Sequence, residues 1–123
     1  MDPFNTRQRG KQAELAACRF LEAKGFKLLV ENYHCYNGEI DLIMQDGNDI
    51  VFVEVRSRNR TDYGQAAETI NKSKRNKLIR AATHFLQMKK WLYKVNSRFD
   101  IIAIHYLVNG TQVEWIKNAF LAE

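Results

Sequence analysis

Two acidic residues, Asp41 and Glu54, lie on either side of a polar turn and could act together on a charged ligand. The turn is centred between Gly47 and Asn48, so opposite residues of the flanking strands have numbers that add up to 95. Asp41 and Glu54 satisfy this sum, which places their Cβ atoms about 4.5–5.5 Å apart. Opposed carboxylates repel each other, and a cation, a shared proton or a nearby basic side chain would relieve the repulsion.

The chemistry that this pair favours is binding of a hard divalent cation, Mg²⁺ or Mn²⁺, which takes oxygen ligands from a few carboxylates. By the same sum Arg56 has Glu39 as its opposite residue, so a solvated set of ion pairs is the alternative. The same face also carries the apolar residues Ile43, Ile50 and Phe52. An unpaired charge at the edge of a covered face is costly, which favours the metal interpretation.

Hydrophobic periodicity predicts the elements that position this hairpin. Helices are expected over residues 8–24 and 73–89, with a short helix over 65–70 as a further candidate. Strands are expected over 26–33, 38–45, 50–56, 99–108 and 113–116, with a polar loop at 57–64 and a helical turn in the tail. The buried stripe of the second long helix should be Leu78, Ala81, Ala82, Phe85 and Leu86.

The order of helix, three strands, helix and two strands predicts an α/β fold class, with a mixed central sheet containing two antiparallel β-hairpins and flanked by helices. Strict alternation would place Ile40, Leu42 and Met44 on one face of their strand, opposite to Asp41 and Ile43. A length of 123 residues, 46% of them apolar, suits a single domain over residues 1–123.

Basic charge is concentrated in one segment. Residues 56–80 contain eight basic and two acidic residues, a net +6, whereas the whole chain carries +5. The residues predicted to contact nucleic-acid phosphates or bases are Arg56, Arg58, Arg60, Tyr63, Lys72, Lys74, Arg75 and Lys77. A solvated basic face is the alternative for such a run.

Lys74 is singled out because it lies four residues before Leu78 and extends the buried stripe to the start of its helix. A cation in a first helical turn opposes the helix dipole, so local stability does not explain it and a nearby anion would. A surface lysine lying over apolar neighbours is the alternative.

The hairpin resembles the motif of the YraN family of small bacterial proteins. The resemblance is carried by Gly38-Glu39-Ile40-Asp41-Leu42-Ile43 and Val51-Phe52-Val53-Glu54-Val55-Arg56, and weaker matches extend it over most of the chain. It implies a restriction-endonuclease-like core of the PD-(D/E)xK-type nuclease superfamily, with Asp41 and Glu54 as the two signature acids.

The resemblance also implies roles for three neighbours of this pair. Glu14 would be the acid on the first helix that completes the metal site, and a solvent-facing helix residue is the alternative. Arg56 occupies the position of the signature lysine, where a permanently protonated guanidinium suits phosphate binding better than activation of water. Lys74 would compensate for this departure.

The leading hypothesis is therefore metal-dependent hydrolysis of DNA or RNA phosphodiesters. The catalytic residues would be Asp41, Glu54, Arg56 and Lys74, and Mg²⁺ or Mn²⁺ would be held by Glu14, Asp41 and Glu54. A nucleic-acid-binding module that has lost cleavage and a protein-interaction subunit are the alternatives. The sequence pattern does not distinguish DNA from RNA as the partner, and it does not decide whether the protein forms a homodimer.

The expected location is the cytoplasm. The two cysteines, Cys18 and Cys35, show no metal-ligand spacing and are expected to be reduced thiols. No apolar run approaches the roughly 20 residues of a membrane span, and the N-terminus lacks the apolar stretch of a signal peptide. A membrane is therefore not expected as a partner.

Overall fold

The computed structural model describes residues 6–59 and 70–122. Its elements are α1 (Thr6–Ala23), β1 (Lys27–Cys35), β2 (Gly38–Asp46), β3 (Asp49–Asn59), α2 (Lys72–Met88), β4 (Ser97–Leu107) and β5 (Gly110–Phe120). Gly25, with a φ of 95°, turns the chain from α1 into β1, in a conformation that glycine adopts without strain. Within the described ranges, no helix is both long enough and apolar enough to cross a membrane.

The five strands form one mixed sheet in the order β1-β2-β3-β4-β5. Neighbouring strands pair antiparallel as local hairpins, except that β3 and β4 pair in parallel. A parallel pair needs a crossover connection, and the chain between β3 and β4 includes α2. The predicted α/β fold class, with a mixed central sheet, hairpins and flanking helices, is confirmed, and β1 adds one more antiparallel pair than predicted.

The two helices cover opposite faces of the sheet. On the α1 face the core consists of Ala13, Ala17, Cys18, Leu21, Phe26, Leu42, Met44, Val51, Val53, Ile102 and Ile104. On the α2 face it consists of Ile40, Ile43, Ile50, Phe52, Leu78, Ala81, Ala82, Phe85, Leu86 and Phe99. The predicted stripe of α2 is buried in full, because its helical spacing keeps those five side chains on one side.

The register predicted for the β2–β3 hairpin is confirmed. Leu42 lies opposite Val53, and the residues toward the turn follow the same sum of 95. Among the described residues, Leu42–Val53 is the last paired rung, so Asp41 and Glu54 lie one step beyond it. From there β2 continues only with β1, and β3 only with β4.

The predicted alternation of β2 is wrong at Ile40. Ile40 packs with Ile43 beneath α2, whereas Leu42 between them faces α1. Strict alternation would put Ile40 and Leu42 on the same face, so β2 changes its facing around Asp41.

The predicted end of β3 is also wrong. The strand continues to Asn59, so residues 57–59 are not part of a loop. The cause is pairing with β4, which reaches Tyr106 opposite Asn59. Residues 60–64 of the predicted loop lie outside the described residues, as do residues 65–69 of the predicted short helix.

The C-terminal part of the chain is a longer strand than predicted. β5 runs to Phe120 and replaces the helical turn expected in the tail. The ring of Phe120 stacks on that of Phe99, with ring centroids 4.7 Å apart. This apolar contact across the β4–β5 hairpin keeps the last residues extended.

Candidate functional site

The carboxyl groups of Asp41 and Glu54 lie together just beyond the last paired rung of β2 and β3. Asp41 Oδ2 accepts a 2.8 Å hydrogen bond from the backbone N–H of Val55, and the Asp41 carboxyl also hydrogen-bonds Glu54. The pairing of β2 with β3 begins only at Leu42, so at Asp41 no β2 carbonyl is paired with β3. The Asp41 side-chain oxygen is therefore the acceptor for the Val55 N–H.

The pair is electrostatically strained. Burial, the hydrogen bond to Glu54 and the charge of Glu54 raise the pKa of Asp41 from 3.8 to about 8, in that order of importance, against the opposing effect of the Val55 N–H. At neutral pH the protein alone therefore relieves the repulsion with a proton on the pair. A cation held by Asp41 and Glu54 would take the place of that proton.

Two cations lie beside Glu54, which is 6% exposed. Lys74 Nζ is 3.3 Å and an Arg56 terminal nitrogen 3.5 Å from Glu54 Oε2. Lys74 reaches this position because α2 begins there: the Asn71 side chain accepts a 2.8 Å hydrogen bond from the Lys74 N–H and caps the helix. The anion that the helix dipole argument required is thus Glu54.

The predicted cross-strand pair of Glu39 and Arg56 is wrong. Glu39 Oε2 lies 3.1 Å from Nδ1 of His34 in β1, whereas Arg56 approaches Glu54 of its own strand. The reason is again the separation of β2 from β3 beyond the last rung, which leaves Glu39 opposite β1.

Glu14 approaches the pair from α1. Burial raises the pKa of Glu14, a hydrogen bond with the side chain of Asn32 lowers it, and the charges of Glu39, Glu31 and Glu54 raise it. The charge of Glu14 in turn contributes to the raised pKa of Asp41. Glu14 is therefore within electrostatic reach of both acids of the pair.

Asn32 is a residue of this site that sequence reasoning missed. It lies in β1 with a φ of 53°, in the left-handed region. Asparagine adopts this region more readily than other residues that carry a Cβ atom. The signal that could have marked it is an asparagine, a residue that strands disfavour, directly after the apolar run Leu28-Leu29-Val30 and Glu31.

The basic residues predicted to bind nucleic acid lie partly around the start of α2. Lys72 and Arg75 are exposed and line a groove with Phe120 at the end of β5. Lys77 is also exposed. Its backbone packs closely against Gly38 at the start of β2, since a Cβ atom on Gly38 would lie 3.4 Å from the Lys77 carbonyl oxygen. The first turn of α2 contains no acidic residue to offset these charges.

The remaining predicted contacts lie further along β3 or outside the described residues. Arg58 belongs to β3 and donates from a terminal nitrogen to the Ser57 carbonyl at 3.1 Å. Arg60 and Tyr63 lie outside the described residues, so their predicted contacts stay predictions.

The donor set fits a small divalent cation that keeps part of its hydration shell. The structure brings Asp41, Glu54, Arg56 and Lys74 together and places Glu14 close by. Within residues 6–59 and 70–122, no group of three or more His, Cys, Asp or Glu side chains is arranged to hold a metal ion. Mg²⁺ is commonly bound by one or two carboxylates plus water and substrate phosphates, a requirement that a carboxylate pair meets.

Comparisons with known proteins identify relatives over the whole chain. The model of the Uncharacterised protein family UPF0102 matches residues 13–104. UPF0102 proteins of Nitrosococcus oceani and Vibrio cholerae are 41% identical over 123 residues and 44% identical over 116 residues. These matches cover 100% of this chain and 99% of the first relative, and 94% of this chain and 93% of the second.

A UPF0102 protein of Saccharophagus degradans is 46% identical over 111 residues, which cover 90% of this chain and 91% of the relative. Among solved structures, Pyrococcus furiosus SfsA in complex with Ca²⁺ is similar with a TM-score of 0.40 and 14% identity. That match covers 92% of this chain and 63% of SfsA.

Proposed function

The chain belongs to the Uncharacterised protein family UPF0102, which confirms the resemblance to YraN, and we propose that it is a metal-dependent, nuclease-like domain that hydrolyses phosphodiesters of DNA or RNA in the cytoplasm. The observation that carries the proposal is the carboxyl pair of Asp41 and Glu54. One member of the pair has a pKa of about 8, and two cations lie beside the other.

Asp41 and Glu54 would hold Mg²⁺ or Mn²⁺, with Glu14 nearby as a further negative charge. When bound, such an ion polarises a phosphate oxygen and lowers the pKa of a coordinated water. The raised pKa of Asp41 supports this assignment, because a buried carboxyl pair that keeps a proton has unsatisfied affinity for positive charge. The Asp41–Glu54 pair would give up its proton to a bound cation, so the affinity for the cation would depend on pH.

Lys74 and Arg56 have different parts in this proposal. Lys74 is partly exposed at the start of α2, 3.3 Å from Glu54, and would hold a phosphate oxygen beside the carboxyl pair. It supplies from a helix the lysine that the signature position on β3 lacks. Arg56 is fixed by the sheet, and its buried Nε has no hydrogen-bond partner within the described residues. A phosphate oxygen would accept charge-assisted hydrogen bonds from the terminal nitrogens of this side chain, which is 22% exposed.

The approach of a polyanion is supported by the charge around α2. Lys72, Arg75 and Lys77 are exposed near Lys74, and no acidic residue of the first turn competes with a phosphate for them. Contacts of this kind give binding that tolerates many sequences and weakens steeply with salt. They do not distinguish DNA from RNA, because both backbones present the same charge.

A second candidate function, nucleic-acid binding without cleavage, is favoured by one observation. The signature lysine position holds Arg56, which stays protonated and is a poor group for activating water. In this alternative Lys74 and Arg56 neutralise Glu54 and contact phosphate, and the pair keeps its proton permanently.

The metal assignment is tested by isothermal titration of Mn²⁺ into the wild type and into Asp41→Asn. The wild type is expected to bind, and Asp41→Asn to lose at least tenfold in affinity, since one ligand oxygen and one negative charge are removed. Asp49→Asn is the matched control, because Asp49 begins β3 at the turn end of the same hairpin, where its 42% exposed side chain lies 3.8 Å from Arg98 and away from the carboxyl pair. Equal affinity in wild type and Asp41→Asn would refute the metal site.

Cleavage is tested with single-stranded, duplex and branched substrates in Mg²⁺ and in Mn²⁺. Cleavage of any of them by wild type but not by Asp41→Asn supports the nuclease. Binding of nucleic acid without cleavage, unchanged in Asp41→Asn, favours the second candidate. Failure to bind nucleic acid at low salt would refute both.

A further inference from the structure

The rung of the sheet that contains Asp41 is incomplete on the β1 side. Glu31 pairs with Leu42 and Tyr33 with Ile40, which places Asn32 opposite Asp41. Within the described residues of β1 and β2, these two form no paired rung. The left-handed φ of Asn32 accounts for the gap, because a residue in that region cannot keep both of its backbone groups in a strand ladder.

The side chain of Asn32 contacts Glu14 of α1, the helix on the face of the sheet opposite to α2. The two residues share a side-chain hydrogen bond, and the amide is the group that can donate to an ionised carboxylate. Asn32 itself is exposed, so burial of its own side chain does not explain a conformation that other residues avoid.

An acid at the position of Glu14 needs such a donor. Glu39, Glu31 and Glu54 are acidic neighbours that repel a carboxylate at this position. Without an opposing contact, a flexible glutamate on a helix surface would turn toward water and away from the pair. Among the described residues, the Asn32 side chain is the neighbour that hydrogen-bonds the Glu14 side chain and opposes this repulsion.

We propose that Asn32 is a positioning residue whose backbone opens the strand opposite Asp41 and whose amide holds the Glu14 carboxylate beside the Asp41–Glu54 pair. The inference rests on the proposed metal site for its purpose, but the Asn32–Glu14 contact stands without it. Asparagine fits both requirements, since it tolerates the left-handed region and carries a donor.

The test uses Asn32→Gly, which keeps the backbone conformation and removes only the amide. The matched control is Asn118→Gly, because Asn118 has a φ of 55° in β5, and its backbone N–H, which glycine retains, donates to Asp100. Both variants are compared with Glu14→Gln and with the double variant Asn32→Gly/Glu14→Gln. The measurements are urea-induced unfolding without metal and calorimetric titration with Mn²⁺.

The expected result is that Asn32→Gly weakens Mn²⁺ binding about tenfold, as loss of a residue that orients a ligand typically does, while Asn118→Gly leaves it unchanged. In Glu14→Gln the further change to Asn32→Gly should have no effect on affinity. Without metal, the effects of the two substitutions on unfolding should be non-additive, because the residues share one contact.

Two results would overturn the inference. One is Mn²⁺ binding to Asn32→Gly with wild-type affinity, and the other is additive unfolding effects of Asn32→Gly and Glu14→Gln. If the wild type binds no Mn²⁺, the proposed function fails, and the unfolding measurements alone decide whether Asn32 holds Glu14. Non-additivity then still supports the contact, and additivity refutes it.

Discussion

The substitution Asp41→Asn is expected to stabilise the protein increasingly as the pH rises. In the folded wild type the pKa of Asp41 is about 8, above its unfolded value of 3.8. Between these values the folded state binds a proton that the unfolded chain lacks, so the stability of the wild type falls as the pH increases. Asparagine does not titrate, and its amide can donate to Glu54 and accept from the Val55 N–H, as the protonated acid does.

The size of the effect follows from the width of this window. One differentially bound proton changes the free energy of unfolding by about 1.4 kcal/mol per pH unit. From pH 5 to pH 7 this gives at most about 3 kcal/mol, and partial exposure of Asp41 and its coupling to Glu54 reduce the expectation to about 1–2 kcal/mol. Below about pH 4 the two proteins should be similarly stable, since both then carry an uncharged side chain at this position.

Urea-induced unfolding at pH 5, 6, 7, 8 and 9, with chelator present, measures this difference directly. Glu14, whose pKa is also raised, remains in both proteins, so its contribution largely cancels. Asp49→Asn is again the control and should show no growing stabilisation. A difference between Asp41→Asn and wild type that stays constant, or shrinks, as the pH rises would refute the shared proton.

Three further outcomes follow from the same contacts. Binding of Mn²⁺ to the wild type should release close to one proton at pH 7, and its affinity should rise by up to about tenfold per pH unit from pH 6 to pH 8. Calorimetry in buffers of different ionisation enthalpy measures both quantities, and an affinity that does not depend on pH would contradict proton displacement. Lys74→Ala should reduce the slope of log affinity for nucleic acid against log salt concentration by about one, whereas Lys74→Arg should retain the slope. Anisotropy titrations over a range of salt concentrations measure it, and an unchanged slope in Lys74→Ala would show that Lys74 does not contact phosphate. Phe85→Ala should lower the free energy of unfolding by about 3–5 kcal/mol, because this buried ring packs edge-to-face on Tyr33, Phe52 and Trp91. A loss below about 1 kcal/mol in urea-induced unfolding would contradict the packing of α2 against the sheet.

The parts of the site that depend on local pattern could be predicted from the sequence. The pairing of β2 with β3 follows from one turn and from the alternation of apolar residues, since a slip by one residue would expose the whole apolar face. The position of Lys74 follows from helical periodicity, because it continues the line of Leu78 toward the start of α2. Both inferences need only residues that are close in the chain.

The parts that depend on a third element could not be predicted in this way. The ladder between β2 and β3 ends at Leu42–Val53, whereas on their other edges β2 stays paired with β1 and β3 with β4 beyond that rung. Beyond that rung Glu39 has His34 of β1 as its partner in place of the expected Arg56, and Asn32 of β1 lies opposite Asp41. The length of β5 likewise depends on the stacking of Phe120 against Phe99, a contact that local propensity does not contain.

A second buried acid of the same sheet shows why the Asp41–Glu54 pair, and not burial itself, indicates function. Asp100 in β4 is 1% exposed. It accepts hydrogen bonds from Arg98 Nε at 3.1 Å, from the Trp115 indole at 3.0 Å and from the Asn118 N–H at 2.9 Å. These donors satisfy its charge, so a cation has nothing to add there. Asp41 has one backbone donor, and the carboxyl group of Glu54 raises its pKa, so its ionised form lacks the set of donors that Asp100 has and a bound cation would stabilise it.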